Sequence, residues 1–189
     1  MQEIRTFVAL ELPEHIRLEI RKLQNDMAAQ GLRIRWVKAD NLHLTLKFIG
    51  NIEERRIPEL SSVLKAVAGQ CPAFRLAPKG LGIFPSLRRP RILWVGISEQ
   101  VDILRRLQRS VDIALSHLGF ETESRPYKGH LTIGRFKRNA SPKRLADTLR
   151  SKHGFTAERF SVEHLVLFKS ILSPDGPLYT RIQKLPLDK

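Results

Sequence analysis

One short pattern occurs twice, and the spacing of its copies constrains the fold more than anything else in the chain. His43-Leu44-Thr45-Leu46 and His130-Leu131-Thr132-Ile133 both read His-Leu-Thr-apolar. They lie 87 residues apart (130 − 43), nearly half of the 189 residues. Each copy falls in a predicted strand, and each is followed by a predicted helix. The repeat therefore predicts two similar lobes, each supplying one copy of the same element.

The surrounding periodicity fills in the lobes. Phe7 to Leu12 is a short apolar run ending at Pro13. Ile16, Ile20, Leu23 and Met27 mark one face of a helix from Pro13 to Gly31. Ile34 to Val37 and Leu42 to Ile49 are predicted strands, the second stopped by Gly50-Asn51. Ile57, Leu60, Leu64 and Val67 mark a second helix. After a Pro-, Gly- and Arg-rich stretch with strand candidates at Phe74–Leu76 and Leu81–Phe84, Ile92 to Ile97 is a strand. Val101, Leu104, Leu107, Val111, Leu115 and Leu118 mark a third helix, and Leu131 to Phe136 a strand. Ser141-Pro142 opens a fourth helix with a cap and a first-turn proline. Two strands, Val162–Phe168 and Leu178–Leu185, flank the turn Ser173-Pro174-Asp175-Gly176-Pro177. No low-complexity linker divides the chain, so residues 1–189 are expected to form one bilobal domain.

Strand geometry gives the repeated pattern a chemical meaning. Successive side chains point to opposite faces. His43 and Thr45 share one face, and Leu44, Leu46 and Phe48 share the other; His130 and Thr132 likewise oppose Leu131 and Ile133. The apolar sets can seal the strands onto a core, leaving two imidazoles and two hydroxyls to line a groove. An imidazole titrates near neutral pH, so one neutral ring can take a proton from an attacking water or hydroxyl. A second, protonated ring can give one to a leaving oxygen. Threonine hydroxyls can hold non-bridging phosphate oxygens as charge builds there. That set suits cleavage of a phosphodiester without a metal. His-x-Thr is not a metal-ligand spacing, and neither copy has a Cys or carboxylate beside it. The other histidines, His15, His117, His153 and His164, lack this setting and read as surface or helix-end residues.

Charge points the same way. Thirty-three Lys and Arg against 19 Asp and Glu leave a net +14, which favours polyanionic partners, RNA and DNA first. Basic clusters at Arg88-Arg89-Pro90-Arg91 and at Lys137-Arg138 and Lys143-Arg144 fall in predicted loops. The single cysteine, Cys71, reads as a buried thiol in a reducing compartment. No apolar run approaches the roughly 20 residues of a membrane span, and the N-terminus lacks a signal pattern. A cytoplasmic protein is expected.

The paired motifs resemble those of the 2H phosphoesterase superfamily, and most closely its bacterial and archaeal RNA 2′,3′-cyclic phosphodiesterases, also called 2′-5′ RNA ligases. Flanking stretches are similar too: Arg5 to Pro13, Phe84 through Pro90 to Val95, and Leu167 through Gly176-Pro177 and Tyr179 to Leu187. The resemblance implies an α+β fold of two pseudo-symmetric lobes, each an antiparallel sheet backed by helices, with a central cleft. It implies hydrolysis of RNA 2′,3′-cyclic ends to 2′-phosphates, with His43 as proton donor to the leaving 3′-oxygen and His130 as the base that activates water. Thr45 and Thr132 would hold the phosphate. No metal or other cofactor is expected.

Secondary candidates are Arg135, Lys47, Tyr127 and Phe84. Arg135 follows the second motif and could neutralise phosphate, but strict alternation turns it away from His130, so a bulge or strand end would be needed. Lys47 shares the His43 face by periodicity and could touch substrate. Tyr127 and Phe84 could stack on a terminal base. The expected partners are RNA with 2′,3′-cyclic termini, tRNA fragments among them, or cyclic nucleotides, and the expected state is a monomer. Two alternatives stay open at this point: ligation of a cyclic end to a 5′-hydroxyl as a 2′-5′ linkage, and a non-catalytic RNA- or nucleotide-binding module.

Overall fold

The computed structural model describes residues 3–32, 34–136, 142–174 and 176–188. In chain order, strand β1 (Glu3–Glu11) leads to helix α1 (Glu14–Ala29) and the short strand β2 (Ile34–Trp36). Strand β3 (His43–Glu53), helix α2 (Ile57–Ala68), strands β4 (Phe74–Ser86) and β5 (Arg89–Glu99) and helix α3 (Val101–Ser116) follow. Strand β6 (His130–Phe136), helix α4 (Pro142–Ser151) and strands β7 (Phe160–Val162), β8 (His164–Ser173) and β9 (Gly176–Pro186) complete it. The proposed cap Ser141 lies outside the described residues. Lys143 and Arg144 belong to α4 and not to a loop.

Nine strands join one antiparallel sheet in the order β7-β4-β5-β6-β3-β1-β8-β9, with β2 added against β6. The two lobes are its halves, β3-β1-β8-β9 and β6-β5-β4-β7. Each half runs outward from a motif strand, so the order repeats. The halves meet at β3 and β6, registered through the single pair Leu44↔Leu131. These are the two leucines of the repeated motif, and both are fully buried. Each burial contributes about 2 kcal/mol, so the residues between His and Thr also fasten the lobes together.

The apolar stripes of α1 and α3 pack with Val8, Leu10, Leu44, Leu131, Leu165 and Leu167 in one large core. Alternation sends Phe7, Ala9, Val166 and Phe168 to the opposite face, where they form a smaller cluster beside Tyr179.

Irregular pairing decides what the opposite face displays. Between Ala9↔Thr45 and Val8↔Lys47, β3 carries one extra residue, Leu46. Between Trp94↔Thr132 and Leu93↔Gly134, β6 carries one extra residue at the equivalent place, Ile133. Both lobes therefore hold a β-bulge directly after the motif threonine, and beyond a bulge the facing of side chains reverses. A further irregularity falls at Gly50, whose φ of +92° a side chain rarely adopts. Gly50 thus bends β3 and does not end it; the strand runs on to Glu53.

Candidate active site

The register of the central pair assembles the motif residues. Leu44 opposite Leu131 in an antiparallel ladder sets His43 across from Thr132 and Thr45 across from His130. All four line one cleft of about 570 Å³, a volume within the usual range of ligand sites. The widely separated imidazoles therefore share a basin.

Both rings are held in the same way. His43 Nδ1 lies 2.8 Å from the Asn41 carbonyl, and His130 Nδ1 lies 2.7 Å from the Lys128 carbonyl. A carbonyl only accepts, so each Nδ1 carries the hydrogen and each Nε2 is left for the cleft. Asn41 is itself tied down, because its side-chain amide donates to the Pro177 carbonyl at 2.8 Å. Aromatic rings wall the imidazoles. Tyr179 meets His43 edge-on at 5.1 Å and Phe7 lies 4.9 Å away. On the other side Phe84 meets His130 edge-on at 5.0 Å, with Trp94 at 6.1 Å.

These surroundings keep both histidines neutral at pH 7. Burial pulls the His43 imidazolium down to about 4 from 6.5; the Asn41 hydrogen bond opposes this and nearby Arg135 adds to it. Burial lowers His130 too, against the Lys128 carbonyl and with help from the Lys128 ammonium. The cleft lining also carries Arg5, Arg35, Lys38 and Arg135 and, among the described residues, no carboxylate. Such a site favours an anion, and a bound phosphate would raise both imidazoles toward protonation.

The bulges sort the secondary candidates. Arg135, two residues beyond the bulged Ile133 of β6, lies in the cleft lining. Lys47 does not. The β3 bulge turns it into the interior, where it is 4% exposed and its ammonium lies 2.5 Å from Asp112 Oδ1 and also donates to the Glu121 carbonyl. Phe48, expected on the core face, is thereby thrown onto the cleft wall at 58% exposure. Tyr127 is no stacking platform. Its ring packs on the core and its hydroxyl donates to the Thr45 carbonyl at 2.9 Å, so it props the first motif strand from the segment leading into the second. Phe84 sits against His130 with the Lys128 ammonium over it and over Trp94.

Several contributors carry no sequence signal of their own. Asn41 and Lys128 act through backbone carbonyls, which any residue supplies. Gln24, buried on α1, donates to the carbonyls of Val37 and of the bulged Ile133 at 2.9 and 2.8 Å; only its polar character on an apolar helical stripe could have marked it. Among the described residues no three His, Cys, Asp or Glu side chains gather to hold one ion.

The family described as LigT like Phosphoesterase matches residues 10–94 and again residues 95–179, each stretch holding one motif. The chain belongs to that LigT-like phosphoesterase family. It is 33% identical over 181 residues to the RNA 2′,3′-cyclic phosphodiesterase of Methanocaldococcus jannaschii, covering 96% of this chain and 99% of the relative. It is 33% identical over 176 residues to the enzyme of the same name from Archaeoglobus fulgidus, covering 93% and 96%. Among solved structures, a Thermus thermophilus protein superposes with a TM-score of 0.81 at 26% identity over 97% of this chain and 98% of that one. E. coli LigT in apo form gives 0.77 at 25% identity, with both chains fully covered.

Proposed function

We propose that the protein hydrolyses the 2′,3′-cyclic phosphodiester at an RNA end to a 2′-phosphate, by acid–base catalysis without a metal. The observation that carries this reading is the pair of imidazoles, each fixed through Nδ1, facing one cation-lined cleft. The names of the relatives at 33% identity support the same substrate. His130 Nε2 takes a proton from water as its oxygen bonds to phosphorus. The P–O3′ bond breaks, and His43 Nε2–H passes its proton to O3′. Thr45 and Thr132 hydroxyls donate to the non-bridging oxygens, and Arg135 offsets the charge that builds on them. Exchange with solvent then restores the protonation of each ring.

The direct test is an oligonucleotide with a 2′,3′-cyclic end, incubated with the protein and excess chelator. A 2′-phosphate product is expected at an undiminished rate. Loss of turnover on chelation would overturn the metal-free mechanism, and a 3′-phosphate product would reverse the leaving oxygen. A 5′-hydroxyl strand in place of water uses the same acid and base and expels the same 3′-oxygen, so a 2′-5′-joined product in its presence is the same displacement at this site with another nucleophile.

The pH dependence has a definite sign. Free enzyme must hold His43 protonated and His130 neutral, although burial lowers both. The kcat/KM profile is therefore a bell belonging to the pair. Its acid limb lies near about 4, and its alkaline limb below the ordinary 6.5. Above 6.5 kcat/KM falls roughly tenfold per pH unit. The kcat profile, which reports the complex, peaks at higher pH because bound phosphate raises both rings. Coincident kcat and kcat/KM optima above pH 7 would contradict this.

A further inference from the structure

A pair of like charges faces itself across the strand ladder beside the motif residues. β2 sets Arg35 directly opposite Arg135 of β6, a placement that destabilises a sheet unless something anionic lies between the two. Among the described residues neither guanidinium has a carboxylate partner. Arg35 is also seated. Gly176, at the start of β9, approaches it so closely that a Cβ there would stand 3.0 Å from Nη2, and its φ of +116° is one that suits glycine. The exposed Lys38 follows two residues after β2 and lines the same cleft.

The cations divide by position. Arg135 lies near enough to bear on the His43 imidazole, and Arg135 with Arg5 bears on the Tyr179 phenol. Arg35 is one strand further out. It faces a β6 residue three positions beyond Thr132, roughly 10 Å along the strand. A scissile cyclic phosphate brings one negative charge, against four cations and no carboxylate among the described residues of the lining. An RNA strand brings another charge with every nucleotide.

We propose that Arg35, with Lys38, binds the phosphodiester one nucleotide upstream of the cyclic end, so that the protein selects strand ends over cyclic mononucleotides. This rests on the phosphodiesterase reading and names its substrate class. The phosphate enters between Arg35 and the cleft wall, relieves the opposed charges and fixes the strand's direction.

The experiment compares a 2′,3′-cyclic mononucleotide with a dinucleotide bearing the same cyclic end, which adds one upstream phosphodiester. Wild-type protein is expected to prefer the dinucleotide in kcat/KM. Arg35→Gln should lower kcat/KM on the dinucleotide roughly tenfold, the worth of one charged hydrogen bond, and on the mononucleotide by less than about twofold. The slope of log kcat/KM against log salt on the dinucleotide should flatten by about 0.7. Arg35→Lys should recover part of the loss. Equal losses on both substrates, or none on either, would overturn the proposal. If wild-type protein turns over neither substrate, the phosphodiesterase reading fails on its own. Anisotropy with a labelled 3′-phosphorylated oligonucleotide then still judges Arg35: weaker binding by Arg35→Gln upholds the subsite, and unchanged binding removes it.

Discussion

His43→Ala should lose about a thousandfold in kcat on a cyclic-ended RNA and recover most of that loss on an activated ester, whereas His130→Ala should lose as much on both. The size follows from the usual worth of one positioned acid or base, about 10²- to 10⁴-fold. The difference follows from the proposed roles. The 3′-oxygen leaves as an alkoxide unless a proton reaches it, so removing His43 leaves a poor leaving group. A p-nitrophenyl phosphodiester of a nucleoside expels p-nitrophenolate, which needs no proton. Water must be activated in either case, so the base stays essential. The double variant should be little worse than either single one on the cyclic substrate, because acid and base act in one step. Thermal unfolding supplies the control. Each ring is half-buried and gives up one backbone hydrogen bond, so each substitution should leave the protein folded at the assay temperature. If the ester rescues His130→Ala and not His43→Ala, the two roles are interchanged.

Period-two alternation was enough to group His43 with Thr45 and His130 with Thr132, because both pairs precede their bulges. The same rule fails one step later in each strand. It sends Lys47 to the cleft and Phe48 to the core, and the structure has them the other way round. A bulge is a property of the pairing between two strands, set here by which carbonyls find donors. Ile133 gains Val37 N–H at 3.0 Å and the Gln24 amide, and neither partner is adjacent in sequence. Helix faces were plainer, since α1 buries the apolar residues that its spacing marks. Gly50 misled for a related reason. Glycine marks a backbone that needs positive φ, and a bulge meets that description as well as a turn does. The carbonyls that hold the imidazoles leave no trace in residue identity at all. The duplicated motif was legible because it sits where both lobes keep regular pairing.

Lys47 supplies the sharpest contrast between a substrate contact and a structural one, and Lys47→Met should separate them. The Lys47 side chain is 3% exposed and that of its partner Asp112 is 13% exposed. Asp112 also accepts from the Glu123 N–H, so the pair ties β3 to α3 and to the segment that leads to Lys128 and His130. Removing the lysine charge leaves a carboxylate in a largely dry setting with one backbone donor. Breaking a buried pair in this way costs about 3 kcal/mol, which for a chain of this size lowers Tm by roughly 6–12 °C. KM for a cyclic-ended RNA should change by less than about twofold where the variant is folded, since Lys47 faces away from the phosphate and a contact worth more would exceed about 0.4 kcal/mol. Lys47→Met combined with Asp112→Leu should regain about half of the lost stability, because the stranded charge goes with its partner. A tenfold rise in KM with Tm unchanged would return Lys47 to the cleft and show that the β3 bulge is not present in solution.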